Sequence, residues 1–589
     1  MNIQRVKYIF KRLNESPISF LIEKAKIEIF KAFFHSQNSF LLKKTIKKEF
    51  IKLKKVKRER LELTLKKKEL QYLCERVQDY ANGYPCLGYG RVDIYSEGTF
   101  SKDCIHNFKW SGKESSFKID FIKQNIKCDV KIPWEKSRLQ WLTEKAILCV
   151  HSECDLENIY SHLNRWYSEN PINQGVNWVS SMEVAIRAIN LVIILKLTEH
   201  FENKELNNLL LKSIAEHSAY LKLYPEISDI PGNHYLATEV GMAVIMQAQG
   251  QSYNINKMEH ILEQQFPNSG MHLEYSTIYN RLCVDLALFG LASIKGGLDD
   301  VNRERITSLI DSVTVFSSEK ALLPIFGDSD SGQVLNFGQS SRDASLYITT
   351  VNHTESISIL KQLLVAINPA VKKILSNYKL SDKTHTIVYP FHIFQKDNFK
   401  LITRFGGAGL MGRAPHDHDD VMSFWVFKNG EDLIVERGCA PYTSDQAKRI
   451  ELISKKSHNS IIIGNNYKNL NDGSVFKTVS IEEANFNITD DNHFYFKLED
   501  VLGTVIRSFS LERNKLKIVD KFDMRVKMDV TRLLFLCDSS VEINCKEFCL
   551  HEELFFTEYG QSENKALKIR KVEFSHREIE KSEFELVCI

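Results

Sequence analysis

The sequence predicts an α+β chain of more than one domain, helical through its middle and antiparallel β toward its end. Three observations carry this. Between residues 137 and 317, apolar side chains recur at i, i+3 and i+4, the period of a helix with one face buried. From about residue 385 the period becomes two, the alternation of a strand. And 589 residues are too many for a single hydrophobic core.

The elements follow in order. From Lys43 to Leu70 there are thirteen Lys or Arg against four Glu, with Ile46, Phe50, Leu53, Val56, Leu61, Leu63 and Leu65 among them. Residues 1–74 therefore read as a basic helical extension. A solvated helix or flexible arm is the ordinary expectation for such a run; a surface for anionic lipid or acidic polysaccharide is the sharper one. Helices are expected at 137–150, 156–167, 179–198, 205–222, 234–249, 256–265, 276–294 and 301–317. Pro171, Pro231, Pro267 and Pro324 fall between them, as helix punctuation should. Strands are expected at 493–498, 503–511 and 516–522, with Arg513-Asn514 as a turn. Val421–Phe427 and Asp432–Glu436, joined through Lys428-Asn429-Gly430, read as a hairpin. Short antiparallel strands at regular intervals suggest a sandwich.

Composition narrows the class. The chain is 43% apolar and 26% charged, ordinary for a globular protein, and its net charge of +3 gives no reason to expect a nucleic-acid partner. The twelve cysteines are scattered without Cys-x-x-Cys spacing and read as buried thiols in a reducing compartment. No apolar run approaches the ~18 residues of a membrane span. Charges at Arg5, Lys7, Lys11, Arg12 and Glu15 interrupt the N-terminal apolar stretches, so no signal peptide is expected. The expected location is cytoplasmic, with membrane association through residues 43–70 and a periplasmic location as alternatives. Nothing in the sequence specifies an oligomeric state.

The most informative stretch is His416-Asp417-His418-Asp419-Asp420, just before the hairpin. On a strand, His416 and His418 would point the same way. His418, Glu436 and His458 form a nitrogen and oxygen set suited to zinc, with Asp420 and Asp432 as substitute carboxylates.

Phe405-Gly406-Gly407 through His418, then Glu436-Arg437-Gly438 and His458-Asn459, resemble the C-terminal domain of the heparinase II/III polysaccharide lyases. Upstream, Asp129-Val130-Lys131 with Trp134-Glu135 and Arg138, Trp178 with Met182-Glu183 and Arg187 to Asn190, Gly232-Asn233-His234, Glu274 with Ser276 and Tyr279, and Phe326 to Gly332 match that family in order. The resemblance implies an incomplete (α/α) toroid over residues 75–375 and an antiparallel β-sandwich over 376–589. It also implies a structural zinc on His418, Glu436 and His458, with Glu436 where the family has Asp. Asn280 stands where the family usually has His, and Asp417 where it has Gly.

The implied activity is β-elimination at a uronate in an acidic polysaccharide. A carboxylate must be neutralised, the C5 proton removed and the C4 oxygen protonated. Asn233 and His234 at a helix start are the candidates for the first task, although Asn also suits a helix N-cap. Tyr279 is the candidate acid or base, with Arg281 near enough in sequence to favour phenolate. Tyr275 is its competitor. His416 is the second catalytic candidate, its imidazolium favoured by Asp417, Asp419 and Asp420. Trp178, Glu183, Arg187, Glu274, Arg281 and Arg413 are candidate substrate contacts, with a buried polar network as the other reading of Trp178, Glu183 and Arg187. Asp328 and Asp330, in Gly327–Gly332, read as turn residues capping backbone N–H groups. Two other functions fit the same residues: a uronyl C5-epimerase and a non-catalytic glycan-binding protein.

Overall fold

The computed structural model describes residues 18–34, 39–122, 127–152, 156–267, 270–294, 300–348, 355–367, 383–464, 483–499, 501–512, 515–537 and 548–588. The expected Arg513-Asn514 turn and the N-terminal charges through Glu15 lie outside these residues.

The first part is helical. Its helices are α1 (Ile18–Phe34), α2 (Phe40–Lys54), α3 (Lys67–Asp79), α4 (Lys131–Ser137), α5 (Gln140–Ser152), α6 (Leu156–Glu169), α7 (Ser181–Thr198), α8 (Lys204–Leu223), α9 (Asn233–Ala248), α10 (Ile255–Gln265), α11 (Thr277–Ala292), α12 (Asp300–Thr314) and α13 (Glu355–Ile367). All eight expected helices are present to within a few residues. Their starts are fixed chemically: the side chains of Asn203, Asn254 and Ser276 accept the backbone N–H of Leu206, Lys257 and Tyr279, which satisfies donors that a helix start otherwise leaves orphaned. Helix α7 packs against α5, α8 and α9, and α9 against α11. Nearly all of α7 is buried, including Val184, Ile186, Ile189 and Val192, as expected for a helix that is mostly apolar around its circumference.

The basic segment is not a free arm. Helix α2 lies on α8, with Leu42 and Leu53 fully buried. Glu49 turns inward to Lys222 (2.6 Å), Lys52 (3.1 Å), Ser218 (2.9 Å) and Gln249 (2.6 Å). Leu61 and Leu63 are buried too, and Arg58 pairs with Glu199 at 2.6 Å. Lys43, Lys44, Lys47, Lys48 and Lys54 keep to the outer face.

The second part is built on one 12-stranded antiparallel sheet. Its strands are β1 (His385–Val388), β2 (Phe391–Lys396), β3 (Phe399–Arg404), β4 (Phe424–Lys428), β5 (Glu431–Ile434), β6 (Ile461–Ile463), β7 (Asn485–Asp490), β8 (His493–Glu499), β9 (Gly503–Glu512), β10 (Lys515–Leu536), β11 (Cys549–Phe555) and β12 (Leu567–Cys588). The main path runs β7-β8-β9-β10-β5-β4-β3-β2-β1; β12 pairs with β10 and β11, and β6 with β10. The expected hairpin is β4–β5, Lys428 opposite Glu431, with Asn429 and Gly430 both at positive φ. That is the turn that Asn-Gly favours. The strand expected at 516–522 extends to 22 residues in β10.

Alternation along β4 explains how the two parts join. Trp425 and Phe427 enter a core shared with the helices, alongside Phe391 and Phe326. Phe424 and Val426 face the other way, into a core with Phe494, Phe509, Ile518 and Phe522. A strand buried on both faces reads as a continuous apolar run, and Val421–Phe427 does. Among the described residues, no helix is long and apolar enough to cross a membrane.

Candidate active site

The site forms where the helical part meets the sheet. Ser276, the N-cap of α11, accepts the Tyr279 N–H at 3.1 Å and donates its hydroxyl to the Asp328 carbonyl at 2.6 Å. One serine thereby sets both Tyr279 and the loop carrying Asp328. That loop needs Gly327: its φ is +71°, and a Cβ there would lie 2.6 Å from the His416 carbonyl oxygen. The close approach lets the Asp328 N–H reach the same carbonyl at 2.8 Å.

Asp328 is the hub. Its Oδ2 lies 3.1 Å from His416 Nδ1 and its Oδ1 3.1 Å from His418 Nε2, while Arg449, on α14 (Gln446–Ile453), grips both oxygens. Burial disfavours the charge, but Arg449, His416 and His418 outweigh it and hold this carboxyl well below its usual range. The turn-capping role expected of the pair is found at Asp330, which accepts the Gly332 N–H at 2.8 Å. His416 and His418 do not lie on a strand as expected; they belong to an irregular segment before β4 and converge because both bind one carboxylate.

His416 stacks on Tyr279 with ring centroids 4.0 Å apart, and its Nε2 is 3.7 Å from Glu274. The acids beside it are thus Asp328 and Glu274, not its chain neighbours. Asp417 and Asp420 pair with Arg404 at 3.3 and 2.8 Å, and Asp419 faces Lys455 at 3.7 Å. The Tyr279 hydroxyl meets that of Tyr442 at 2.9 Å. Burial, with Asp330, Asp328 and Glu274 adding to it, pushes the Tyr279 hydroxyl well above its ordinary pKa. This reverses the expectation of a phenolate favoured by Arg281. Arg281 is buried away from Tyr279, bonded to the Ser340 carbonyl and paired with Asp285.

Asn233 is the first residue of α9 rather than its cap, which is Gly232. Its backbone N–H and its Nδ2 both donate to Glu274, at 3.0 and 2.6 Å. Its Oδ1 is buried without a hydrogen-bond partner. Burial opposes the Glu274 charge, and His272, His416 and the Asn233 donors outweigh it. His234 stands at the rim, its side chain 46% exposed, paired with Glu226 at 2.9 Å. Desolvation works against its imidazolium, but Glu226 prevails and raises its pKa to about 9. Arg413 is half-buried and held by both oxygens of Asp229. Tyr275 lies 5.7 Å from Tyr389, ring to ring.

Trp178, Glu183 and Arg187 lie in the helical interior, not on a cleft. Glu183 forms a two-pronged pair with Arg138 at 2.7 and 2.8 Å. Arg187 bonds His217 at 2.8 Å and lies over the ring of Trp178, which is 1% exposed. Lys131 joins this network to the site by pairing with Asp330 at 2.9 Å. Asp129 accepts from the Tyr559 hydroxyl at 3.0 Å, and that hydroxyl accepts the Tyr442 N–H at 2.8 Å. The short stretches upstream of α7 that carry Asp129 and Lys131 therefore act from beneath, holding the loop of Asp328 and the backbone of Tyr442.

For zinc, the donor types fit but their arrangement differs from the expected set. Glu436 is turned to His458 Nδ1 and to Asn459. The His418 and His458 rings are 5.3 Å apart, His458 Nε2 is buried without a hydrogen-bond partner, and so are both Asp420 oxygens, their ion pair with Arg404 aside. Asp432 is committed to Arg342 and Trp425. Among the described residues, no three His, Cys, Asp or Glu side chains converge on one point as a metal cage requires.

Sequence alone missed Asp328, Tyr442, Arg449, Arg404, Glu226 and Asp229. Only the first carried a usable signal, in Gly327-Asp328-Ser329-Asp330-Ser331-Gly332.

Comparison with known proteins places these features. The family model "Heparinase II/III N-terminus" matches residues 95–347 and "Heparinase II/III-like, C-terminal" matches 389–558. Among curated proteins, none matches the chain by sequence. The fold is similar to the crystal structure of heparinase III, with a TM-score of 0.61 and 14% identity over 98% of this chain and 93% of that one. It is also similar to a heparan sulfate lyase HepC mutant from Pedobacter heparinus, with a TM-score of 0.51 and 16% identity over 96% and 90% of the two chains. Two family models in order along one chain, with the matching fold, make the assignment: the chain belongs to the heparinase II/III family.

Proposed function

We propose that this protein is a polysaccharide lyase that cleaves a uronate-containing glycan by β-elimination. The observation that carries the reading is the stack of His416 on Tyr279, with Tyr442 hydrogen-bonded to Tyr279 and Asp328 to His416. His234, an exposed imidazolium at neutral pH, holds the substrate carboxylate and stabilises charge as it grows. His416, oriented through Nδ1 by Asp328, takes the C5 proton at Nε2. The C4–O bond breaks, a C4=C5 double bond forms, and the leaving oxygen takes the Tyr279 proton. A phenol with a raised pKa arrives protonated for that step. Tyr442 relays a proton back to Tyr279, and His416 gives its own to solvent. Asn233 keeps Glu274 ionised beside His416. We read the helical array as the incomplete (α/α) toroid and the sheet as the sandwich that the family resemblance implies. The matched proteins named for heparan sulfate cleavage, and for heparinase activity, support an acidic glycan as substrate.

Charge pairing narrows the substrate. His234 with Glu226, Arg413 with Asp229, Arg449 with Asp328 and Arg404 with Asp417 each carry an internal counter-ion. Among the described residues of the site, these four cations are already paired, and paired cations gain little from sulfate groups. Such a site suits a polymer with one carboxylate per subsite. A zinc would have to draw His418, His458 and the Asp420 carboxylate together from their present positions; it would serve shape, pinning the segment that bears His416, and takes no part in the steps above.

Incubation with a panel of uronate polymers tests this. Ultraviolet absorbance of an unsaturated uronate supports lyase action. Solvent deuterium at C5 without cleavage would reassign the protein as an epimerase, and binding with neither would leave a glycan-binding module.

A further inference from the structure

The family match begins at residue 95, so helices α1 and α2 lie outside it. Helix α2 has two unlike faces. Leu42, Glu49 and Leu53 are buried against the helical part. On the opposite side, Phe40, Lys43, Lys44, Lys47, Lys48, Ile51 and Lys54 are all exposed. At 100° per residue, Phe40, Lys44, Lys47, Ile51 and Lys54 fall within one narrow outer stripe. The only acid of α2 is Glu49, and it faces inward, so the outer stripe carries three cations, the whole exposed face five, and neither carries an anion.

Two apolar side chains stand in the middle of that charge. Phe40 is 79% exposed and Ile51 41% exposed. On α1, Ile22 and Ile29, seven residues apart on one face, are 52% and 54% exposed. A merely solvated lysine face has no use for a nearly bare phenylalanine. A soluble polyanion would engage the ammonium groups and leave Phe40 and Ile51 in water. Only a partner offering anions above an apolar layer satisfies both. Lysine stems reach along such a boundary and place their charge among the headgroups while apolar neighbours enter below.

We propose that the outer face of α2 docks the protein on an anionic lipid bilayer, lying in the plane of the interface with Phe40 and Ile51 inserted and Lys43, Lys44, Lys47, Lys48 and Lys54 against the headgroups. The attachment is peripheral and reversible. Several lysines near a charged leaflet and two shallow apolar anchors give a contact that salt weakens and that composition controls.

The test is co-sedimentation of the full chain with vesicles. Vesicles with about one third phosphatidylglycerol in phosphatidylcholine should bind ~10-fold or more tightly than phosphatidylcholine alone, less so as salt is raised. The variant Phe40→Ser/Ile51→Ser changes only exposed positions and should melt like the wild type. It should lose ~10-fold in vesicle binding while binding soluble polyglutamate unchanged. Lys44→Glu/Lys47→Glu should lose both. Equal binding to the two vesicle types would overturn the proposal, as would a Phe40→Ser/Ile51→Ser variant that binds vesicles normally. Capture of a soluble polyuronate that competes with vesicle-free protein, with no sedimentation on either vesicle, would assign this face to glycan instead.

Discussion

The hydroxyls of Tyr279 and Tyr442 lie 2.9 Å apart although 163 residues separate them in sequence. One sits in the first turn of α11, and the other lies just before α14, its backbone N–H held by Tyr559. Either can donate to the other, so a proton lost from Tyr279 has an immediate source. Tyr279→Phe should lower kcat by about 10²-fold or more with little change in KM, the usual worth of a general acid. Tyr442→Phe should lower it less, because solvent can still reprotonate Tyr279 slowly. Steady-state kinetics on the best polymer of the panel decides; unchanged kcat in Tyr279→Phe removes it from the chemistry.

His234 should impose a limit at high pH. Its folded pKa, about 9, exceeds the ordinary histidine value near 6.5. The group is therefore charged in both folded and unfolded chains below about pH 6.5, where its contribution is fully present. That contribution fades as pH rises through 9. Catalytic efficiency should fall over the same range. His234→Gln should remove that limb and lose more in kcat than in ground-state binding, since the charge it meets grows in the transition state. An unaltered alkaline limb in the variant would assign it to another group.

Asp328→Asn should be the most damaging conservative change at the site. It strips the counter-ion from buried Arg449 and the anchor from His416 and His418. Breaking a buried pair by removing one partner costs roughly 3–5 kcal/mol. Denaturant melts should show a loss of that order, and kcat should fall even at temperatures where the variant is folded. A melt within about 1 kcal/mol of wild type would mean that the hub is not holding the site.

Substrate choice should follow the paired cations. kcat/KM should decline as sulfation of the polymer increases, and KM for an unsulfated polyuronate should depend only weakly on salt, as few unpaired charges are screened. A steep salt dependence, or a preference for the most sulfated polymer, would contradict the charge pairing of Arg413 and His234.

If His418, His458 and Asp420 hold zinc, purified protein should carry about one equivalent per chain and should melt lower after chelation. Asp420→Asn should reduce the metal content more than Glu436→Gln, since Glu436 is bonded to His458 and Asn459. Elemental analysis of the three proteins gives the answer. Metal-free wild type with no thermal shift on added zinc removes the site.

Much of this was legible in the residues. Helical periodicity located α5 through α12, because each buries one apolar stripe on its neighbours, and Asn429-Gly430 announced the β4–β5 hairpin. Asn233, His234, Glu274, Tyr279, His416 and His418 do gather at one place. What sequence could not give was pairing at long range. Asp417, Asp419 and Asp420 looked like the partners of His416 because they adjoin it, yet backbone direction sends them to Arg404 and Lys455. Asp328 supplies the charge instead, 88 residues away. Trp178 and Arg187 carry the chemistry of a sugar subsite, and only burial reveals that they hold the interior together.

The hub has a consequence for how the molecule could arise and be divided. Asp328 belongs to the stretch between α12 and α13, while His416, His418 and Arg449 belong to the sheet's side. Neither half alone contains a finished constellation, and each buries a charge that only the other can answer. The two are therefore not interchangeable modules. Grafting either half onto a homologue's partner would open the core they share and dismantle the centre, unless that partner brought its own matching acid or arginine.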